Sequence, residues 1–190
     1  MIALLIILIA VIVGRILGGD IRRLVVLRLR GEGVLIVALT GQFVLPRVAH
    51  EFGYGSEIQY WLWMIPALLV VGTAILNLNV TGMSLMALGV ALNALVISVN
   101  YGMPVLDTAV SVAGLNELIP AIESTRGFYF VAGEHTPLLI LADVLPVAGP
   151  EYIRTILSLG DMLLFVGVAV LLMNAMLVQD PSLGKRIGSE

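Results

Sequence analysis

Residues 134–167, EHTPLLILADVLPVAGPEYIRTILSLGDMLLFVG, contain a histidine and two aspartates within one of the most apolar parts of the chain. The apolar run at the end of this stretch begins at Leu157 and continues to Val178. A helix that crosses ~30 Å of hydrocarbon needs about 20 mainly apolar residues, and this run satisfies that length. The stretch therefore predicts a membrane-spanning helix that directly follows an apolar segment carrying titratable groups.

The composition of the whole chain agrees with a membrane protein. Of 190 residues, 59% are hydrophobic and 12% are charged. A soluble domain usually carries about 25% charged residues, so this chain has too little charge to cover a soluble surface. Because backbone groups in lipid must form their hydrogen bonds within the spanning structure, the predicted fold class is an all-α integral membrane protein.

Partners and cofactors are constrained by the same composition. The formal net charge is −3, and no run of basic residues alternates with aromatic ones, so no nucleic-acid partner is expected. The chain has no cysteine and two histidines, which excludes thiolate metal sites and argues against a cage of several histidines. No metal site is predicted and the cofactor stays unknown, whereas membrane lipid and other membrane protein subunits are the expected partners.

Five apolar runs predict five transmembrane helices in a single membrane domain over residues 1–190. The predicted spans and the outer loop between the last two are 1–17, 34–49, 60–78, 82–100 and 157–178, with the loop at 101–156. Nothing basic precedes the first run, which distinguishes it from a cleaved secretory signal. We therefore expect the first run to remain as a span.

Lys and Arg predict the orientation, because they are concentrated on the cytoplasmic side of membrane proteins. The basic residues of DIRRLVVLRLRGEG (20–33) and of the tail are Arg22, Arg23, Arg28, Arg30, Lys185 and Arg186. Five spans place both segments on one side, which predicts a bacterial cytoplasmic membrane protein with its N-terminus outside and its C-terminus inside. The basic and apolar alternation in 20–33 predicts an interfacial segment on anionic lipid, with docking of an acidic partner as the alternative.

Two parts of the outer loop are apolar but unsuited to spanning the membrane. Thr136–Pro146 has eleven residues and contains Pro137, so it is too short to cross. It is predicted to form a short helix that is either interfacial or re-entrant. Pro104–Ile122 is predicted to be a second amphipathic piece on the outer surface.

Asp161 has a structural explanation and a functional one. Ser158 lies three residues before Asp161 at the start of the apolar helix, a spacing that resembles a capping box. A carboxylate there also lies at the positive end of the helix dipole. Alternatively, His135, Asp143 and Asp161 form a polar cluster at the outer face, with Arg154 as counter-ion. Such a cluster could bind a divalent cation or relay a proton, although its spacing matches no metal motif.

The fourth span has a stripe of small residues that predicts a helix-packing face. The residues that define this stripe are Ser84, Ala87, Ala91, Ala94 and Ser98. Small residues at this spacing allow another helix to approach closely. Asn93 adds an amide that can form a hydrogen bond with a neighbouring helix.

Several of these segments occur together in one known family. They are GRILGGDIRRLVVLRLRGEG after the first span, GMSLMALGVALNALVISVNYGMPV through the fourth, the isolated His135, LADVLP, and SLGDMLLFVG in the fifth. In this order they resemble the DUF5317 family of bacterial integral membrane proteins of unknown function. The resemblance implies a polytopic membrane protein without an established activity, so it transfers no catalytic residue. The residues that fall within the family's motif segments are Asn93, Asn100, Asp143, Ser158, Gly160 and Asp161.

Three functions remain compatible with the sequence. The first is a non-catalytic accessory or structural subunit of a larger bacterial membrane complex, which fits the small size and the packing stripe. The second is a transporter or carrier component with a polar site at the outer face. The third is a membrane-embedded enzyme that acts on a lipid or isoprenoid substrate. No catalytic residue is predicted, because the chain lacks GxSxG, HExxH, P-loop and Rossmann motifs.

Overall fold

Five long helices occupy the five predicted positions along the chain. The computed structural model describes residues 2–124 and 128–177. The helices are α1 (Ile2–Ile16), α2 (Glu32–Glu51), α3 (Ser56–Leu76), α4 (Met83–Asn100), two short helices α5 (Asp107–Val112) and α6 (Ile119–Ser124), and α7 (Leu159–Leu177). The last residue of the predicted fifth span, Val178, and the basic tail residues Lys185 and Arg186 lie outside the described residues.

Three of these helices are long and apolar enough to cross a membrane, judged by length and composition over the described residues. They are α3, α4 and α7. The apolar helix α1 has 15 residues, and the apolar stretch Glu32–Gln42 of α2 is also shorter than a span. The mostly helical class with membrane-length helices is thus confirmed, whereas five spans stay a prediction.

The long helices pack as a row in the order α2, α3, α4, α7 and α1. A core of small and medium-sized side chains fills the space between α2, α3, α4 and α7, with Ala67, Val70 and Met83 fully buried. Because the small residues of α3 contribute little volume, the neighbouring helices approach it closely. Each inner helix of the row therefore uses two flanks for contact within the chain and leaves other faces uncovered.

Glycines allow the closest contact in this row, between α4 and α7. A Cβ on Gly89 would lie 2.7 Å from the backbone nitrogen of Leu164, and a Cβ on Gly167 would lie 2.8 Å from the backbone nitrogen of Met86. Both distances are shorter than real Cβ contacts, so a side chain at either position would push the helices apart. The two helices therefore meet backbone against backbone, as small residues permit in membrane bundles.

One end of the row, which we call the arginine end, carries residues 17–31 against the end of α7. The N–H of Asp20 donates to the carbonyl of Met176 at 3.0 Å, and the guanidinium of Arg23 donates to the carbonyls of Met176 and Leu177 at 2.9 and 3.2 Å. Arg23 therefore attaches the segment 17–31 to the backbone of α7.

The predicted basic interface is only partly an open surface. Residues 21–26 form a short 3-10 helix, and Arg22, Arg28 and Arg30 are exposed while Arg23 is half-buried. Arg28 forms an exposed ion pair with Glu32 at 3.4 Å. The segment is therefore attached to the protein through one arginine and offers three others to its surroundings.

The buried amide of Asn77 attaches the same segment to α3. Its Oδ1 accepts a hydrogen bond from the N–H of Arg30 at 2.8 Å, and its Nδ2 donates to the carbonyls of Arg30 at 2.9 Å and Thr73 at 2.8 Å. All of these bonds satisfy polar groups that burial would otherwise make costly. The turn after α3, the segment 17–31 and the end of α7 therefore lie together at the arginine end.

The opposite end carries the region between α4 and α7, residues 101–124 and 128–158, which we call the cap. The cap contains β1 (Met103–Val105) paired in parallel with β2 (Tyr129–Val131), and β3 (Leu145–Val147) paired antiparallel with β4 (Thr155–Leu157). The prediction of an all-α chain was therefore wrong for this region. Short strands, rather than surface helices alone, cover the ends of α4 and α7.

The predicted interfacial or re-entrant helix over Thr136–Pro146 is absent. This range contains a single 3-10 turn, Leu139–Leu141, and then runs extended into β3. The residue before a proline favours an extended backbone, which disfavours helix at the position before Pro146. The predicted amphipathic piece Pro104–Ile122 is likewise divided, because it contributes to β1, α5, a 3-10 turn and α6.

Gly89→Ala and Gly167→Ala are expected to lower the free energy of unfolding by about 1–3 kcal/mol, because the added Cβ overlaps the facing backbone. Thermal or denaturant unfolding in one detergent would measure the change. Gly72→Ala is the matched control, since a Cβ at this helical position in α3 meets nothing within 4 Å. The control should be neutral or gain up to about 1 kcal/mol from helix propensity. Equal stability of all three variants would contradict the close α4–α7 contact.

Candidate functional site

The start of α7 is closed by two reciprocal hydrogen bonds between Ser158 and Asp161. The N–H of Asp161 donates to Oγ of Ser158 at 2.9 Å, and the N–H of Ser158 donates to Oδ2 of Asp161 at 3.1 Å. This is the arrangement of a capping box, with an aspartate in place of the usual glutamate or glutamine. The structure thus contains both bonds that the spacing of these residues predicts, and Ser158 is fully buried.

Asn93 of α4 joins this capping box from the neighbouring helix. Its Nδ2 donates to Oδ1 of Asp161 at 2.8 Å, and Oγ of Ser158 donates to Oδ1 of Asn93 at 2.8 Å. The hydroxyl of Ser158 therefore donates to one helix and accepts from the other. We call these three side chains the polar network. Its members satisfy each other's hydrogen bonds, with Asn93 and Ser158 buried and Asp161 half-buried.

The polar network exists because Gly160 leaves room for it. A Cβ at this position would lie 2.5 Å from the carbonyl oxygen of Gly89 and 2.6 Å from Cγ of Asn93. The glycine contact between α4 and α7 and the polar network are thus one feature of the fold. The seven-residue spacing of Gly82 with Gly89 and of Gly160 with Gly167 was the sequence signal for this contact.

Asp143 lies in the cap, where its backbone forms a bridge with Val105 of β1. Its side chain is buried, with 8% exposure, and its Oδ1 has neither a hydrogen-bond partner nor contact with solvent. Burial and, to a smaller extent, the negative charge of Asp161 raise the pKa of Asp143 well above the ordinary value of 3.8. The two aspartates of residues 134–167 therefore have very different surroundings.

The remaining members of the predicted outer cluster lie apart from these aspartates. His135 is exposed, and the described residues contain no group of three His, Asp or Glu side chains that could hold a metal ion. The guanidinium of Arg154 donates to the carbonyl of Gly114, while its buried Nε has no partner. Arg154 forms no ion pair with either aspartate within the described part of the chain, so it is not their counter-ion.

The predicted packing stripe of α4 does not face α7. Ser84 and Ser98 are exposed, and Ala87, Ala91 and Ala94 are half-buried. Asn93, by contrast, lies on the buried side of α4 and contacts α7 through the polar network. Ala87 and Ala94 pack against the apolar clusters that α4 shares with α3, and glycines make the contact with α7. Packing of another helix against the exposed edge of the stripe stays a prediction.

These features define a mostly helical protein with membrane-length apolar helices and an interhelical polar network beneath a cap. The chain belongs to the DUF5317 family, described as a family of unknown function, whose model matches residues 26–173. This match confirms the resemblance noted in the sequence. The matched range includes the polar network, Asp143 and the glycines of the α4–α7 contact.

A relative from Thermotoga maritima is 34% identical to this chain over 95 residues and is described as an uncharacterized protein. The aligned part covers 50% of this chain and 52% of the relative, so the match spans about half the length of each. No solved structure matches the chain. These comparisons place the chain in a family without adding a substrate or a partner.

Ser158→Ala is expected to lower the free energy of unfolding by about 0.5–2 kcal/mol, the usual cost of losing a helix N-cap. Asn93→Ala should also lower the free energy of unfolding. The loss in the double variant should be smaller than the sum of the two single losses by about 0.5–3 kcal/mol, because both changes break one network. Ser98→Ala is the control, since its exposed hydroxyl bonds to the Leu95 carbonyl of its own helix. Additive effects would show that Asn93 and Ser158 act independently.

Proposed function

We propose that this protein is a five-span protein of the bacterial cytoplasmic membrane that acts as a non-catalytic accessory or structural subunit of a larger membrane complex. The observation that carries this proposal is the exposed edge of the packing stripe of α4, where Ser84 and Ser98 are not covered by the described part of the chain.

The packing stripe suits a second membrane helix. Ser84 and Ser98 are exposed and small, and Ala91 lies between them at the same seven-residue spacing. The hydroxyl of Ser98 donates to the Leu95 carbonyl of its own helix at 3.0 Å. It therefore needs no hydrogen-bond acceptor from a helix that packs against it. Small residues allow helix backbones to approach closely, which favours a helix of another subunit at this position. The other exposed apolar faces suit lipid.

Charge at the two ends supports an orientation with the N-terminus outside and the C-terminus inside. The arginine end exposes Arg22, Arg28 and Arg30, whereas the cap carries exposed acidic residues such as Glu117 and Glu134. Basic residues are concentrated on the cytoplasmic side of membrane proteins. The three exposed arginines there would meet anionic lipid headgroups, each contributing about 1 kcal/mol.

The natural absence of cysteine makes the orientation directly testable. In intact cells, Tyr152→Cys in the cap should react with a membrane-impermeant maleimide, because its side chain is exposed and predicted to lie outside. Val25 in the 3-10 helix of the arginine end is also exposed, and Val25→Cys should react with the maleimide only after the cells are permeabilised. Labelling of Val25→Cys in intact cells would contradict the proposed orientation.

The subunit proposal predicts position-specific crosslinking from the packing stripe. Ser84→Cys and Ser98→Cys, each carrying a short photoreactive group, should crosslink in cells to one and the same heterologous membrane protein. That protein should also co-purify with the unmodified chain in a fixed ratio after gentle solubilisation. Leu68→Cys and Ile75→Cys are matched controls, because they are exposed on α3 and should react with lipid. Crosslinks solely between copies of this chain, or a solitary monomer, would overturn the proposal.

A further inference from the structure

Asp143 lies within the cap, at the bridge between the segment before β3 and the strand β1. Its N–H donates to the carbonyl of Pro104 at 3.0 Å, and its carbonyl accepts from the N–H of Leu106 at 3.0 Å. These bonds form a parallel bridge between Asp143 and Val105. The backbone of this residue therefore holds the segment between the 3-10 turn and β3 against β1.

The side chain of Asp143 faces an almost uncharged environment. The elements α4, β1, β3 and β4 contain no titratable side chain. The adjacent residue, Ala142, is fully buried in an apolar cluster with Val96, Ile97 and Met103. The charge that acts on Asp143 is that of Asp161 in α7. On the other neighbouring elements, Asp107 of α5 is exposed, and the guanidinium of Arg154 donates to the carbonyl of Gly114.

The two carboxyl groups differ in their hydrogen bonds. Both oxygens of Asp161 accept from N–H donors, one from Asn93 and one from Ser158, as a carboxylate does. Asp143 has a buried oxygen without a donor, and an ionised carboxyl in that position is costly. Neighbouring carboxyls commonly resolve this conflict by keeping one of the pair protonated. A metal ion would require more oxygen ligands than this pair offers.

We propose that Asp143 is a proton-binding site that locks the segment before β3 onto β1 and so keeps the cap docked over the ends of α4 and α7. With the proton bound, the neutral carboxyl is compatible with its apolar surroundings and the cap stays docked. When the proton passes to water, the new carboxylate faces Asp161 in a buried position and the cap loosens. One proton is exchanged with solvent and no other reactant takes part. This role is independent of the subunit proposal.

The direction of the pH effect follows from the raised pKa of Asp143. The docked state retains the proton at pH values where an exposed carboxyl, with its ordinary pKa of 3.8, has lost it. Docking is therefore strongest below that ordinary value and weakens as pH rises above it, until the pKa of the docked state is reached. Within this window one proton changes the docking equilibrium by up to about tenfold per pH unit.

Infrared spectroscopy of the full chain in lipid nanodiscs tests the proton directly. At pH values well above 3.8, the wild type should show the carbonyl band of a protonated carboxylic acid, which shifts in D₂O and disappears as pH rises further. Asp143→Asn should lack this band, and Glu134→Gln, a change to an exposed acid of the cap, should retain it. Asp161→Asn should move the midpoint of the band's loss to lower pH, because the repelling charge is removed.

Hydrogen exchange tests the lock. After correction for intrinsic rates, the amides of Asp143 and Leu106 should lose protection as pH rises in the wild type and in Glu134→Gln. In Asp143→Asn their protection should not change with pH.

Absence of the wild-type band, or an Asp143→Asn variant that keeps the pH-dependent protection, would overturn the proposal. Loss of the band at constant pH on adding Na⁺ or Ca²⁺ would overturn it in favour of a cation site. If Asp143→Asn does not fold, the wild-type and Asp161→Asn titrations decide.

Discussion

The backbone contact between α4 and α7 is the interaction on which the rest of the structure depends. Gly89 and Gly160 lie so close that neither position tolerates a side chain. This approach brings Asn93 of one helix within hydrogen-bond distance of Ser158 and Asp161 of the other. It also fixes the end of α4 beside the start of α7, so the chain between them has to fold back over both ends as a cap.

The helices could be predicted from sequence because their signals are local. Apolar runs of sufficient length marked the five long helices, and a three-residue spacing marked the Ser158–Asp161 capping box. The cap could not be predicted in the same way, because the bridge between Val105 and Asp143 joins residues that are far apart in sequence. An apolar stretch with prolines indicates neither its strand partner nor its direction.

The packing surfaces show a second limit of sequence patterns. A stripe of small residues and a pair of glycines seven residues apart both indicate close helix contact, and α4 carries both on different sides. Close packing was predicted for the stripe of small residues, whereas the glycines make the backbone contact between α4 and α7. The aspartates show the same limit, because the sequence explained Asp161 as a helix cap but did not indicate the surroundings of Asp143. Their hydrogen bonds separate them, since Asp161 is fully engaged and Asp143 has a buried oxygen without a donor.

The position of α7 between α4 and α1 has a consequence for biosynthesis. The helix α1 packs against α7, which is synthesised after α2, α3 and α4, and Arg23 binds the carbonyls of Met176 and Leu177 in α7. During translation α1 and the arginine segment are therefore without their main neighbour until Leu159–Leu177 has been made. The row closes when α7 inserts between α1 and α4, which are already in place. A nascent chain that stops before α7 therefore has neither Arg23 bound nor its cap supported.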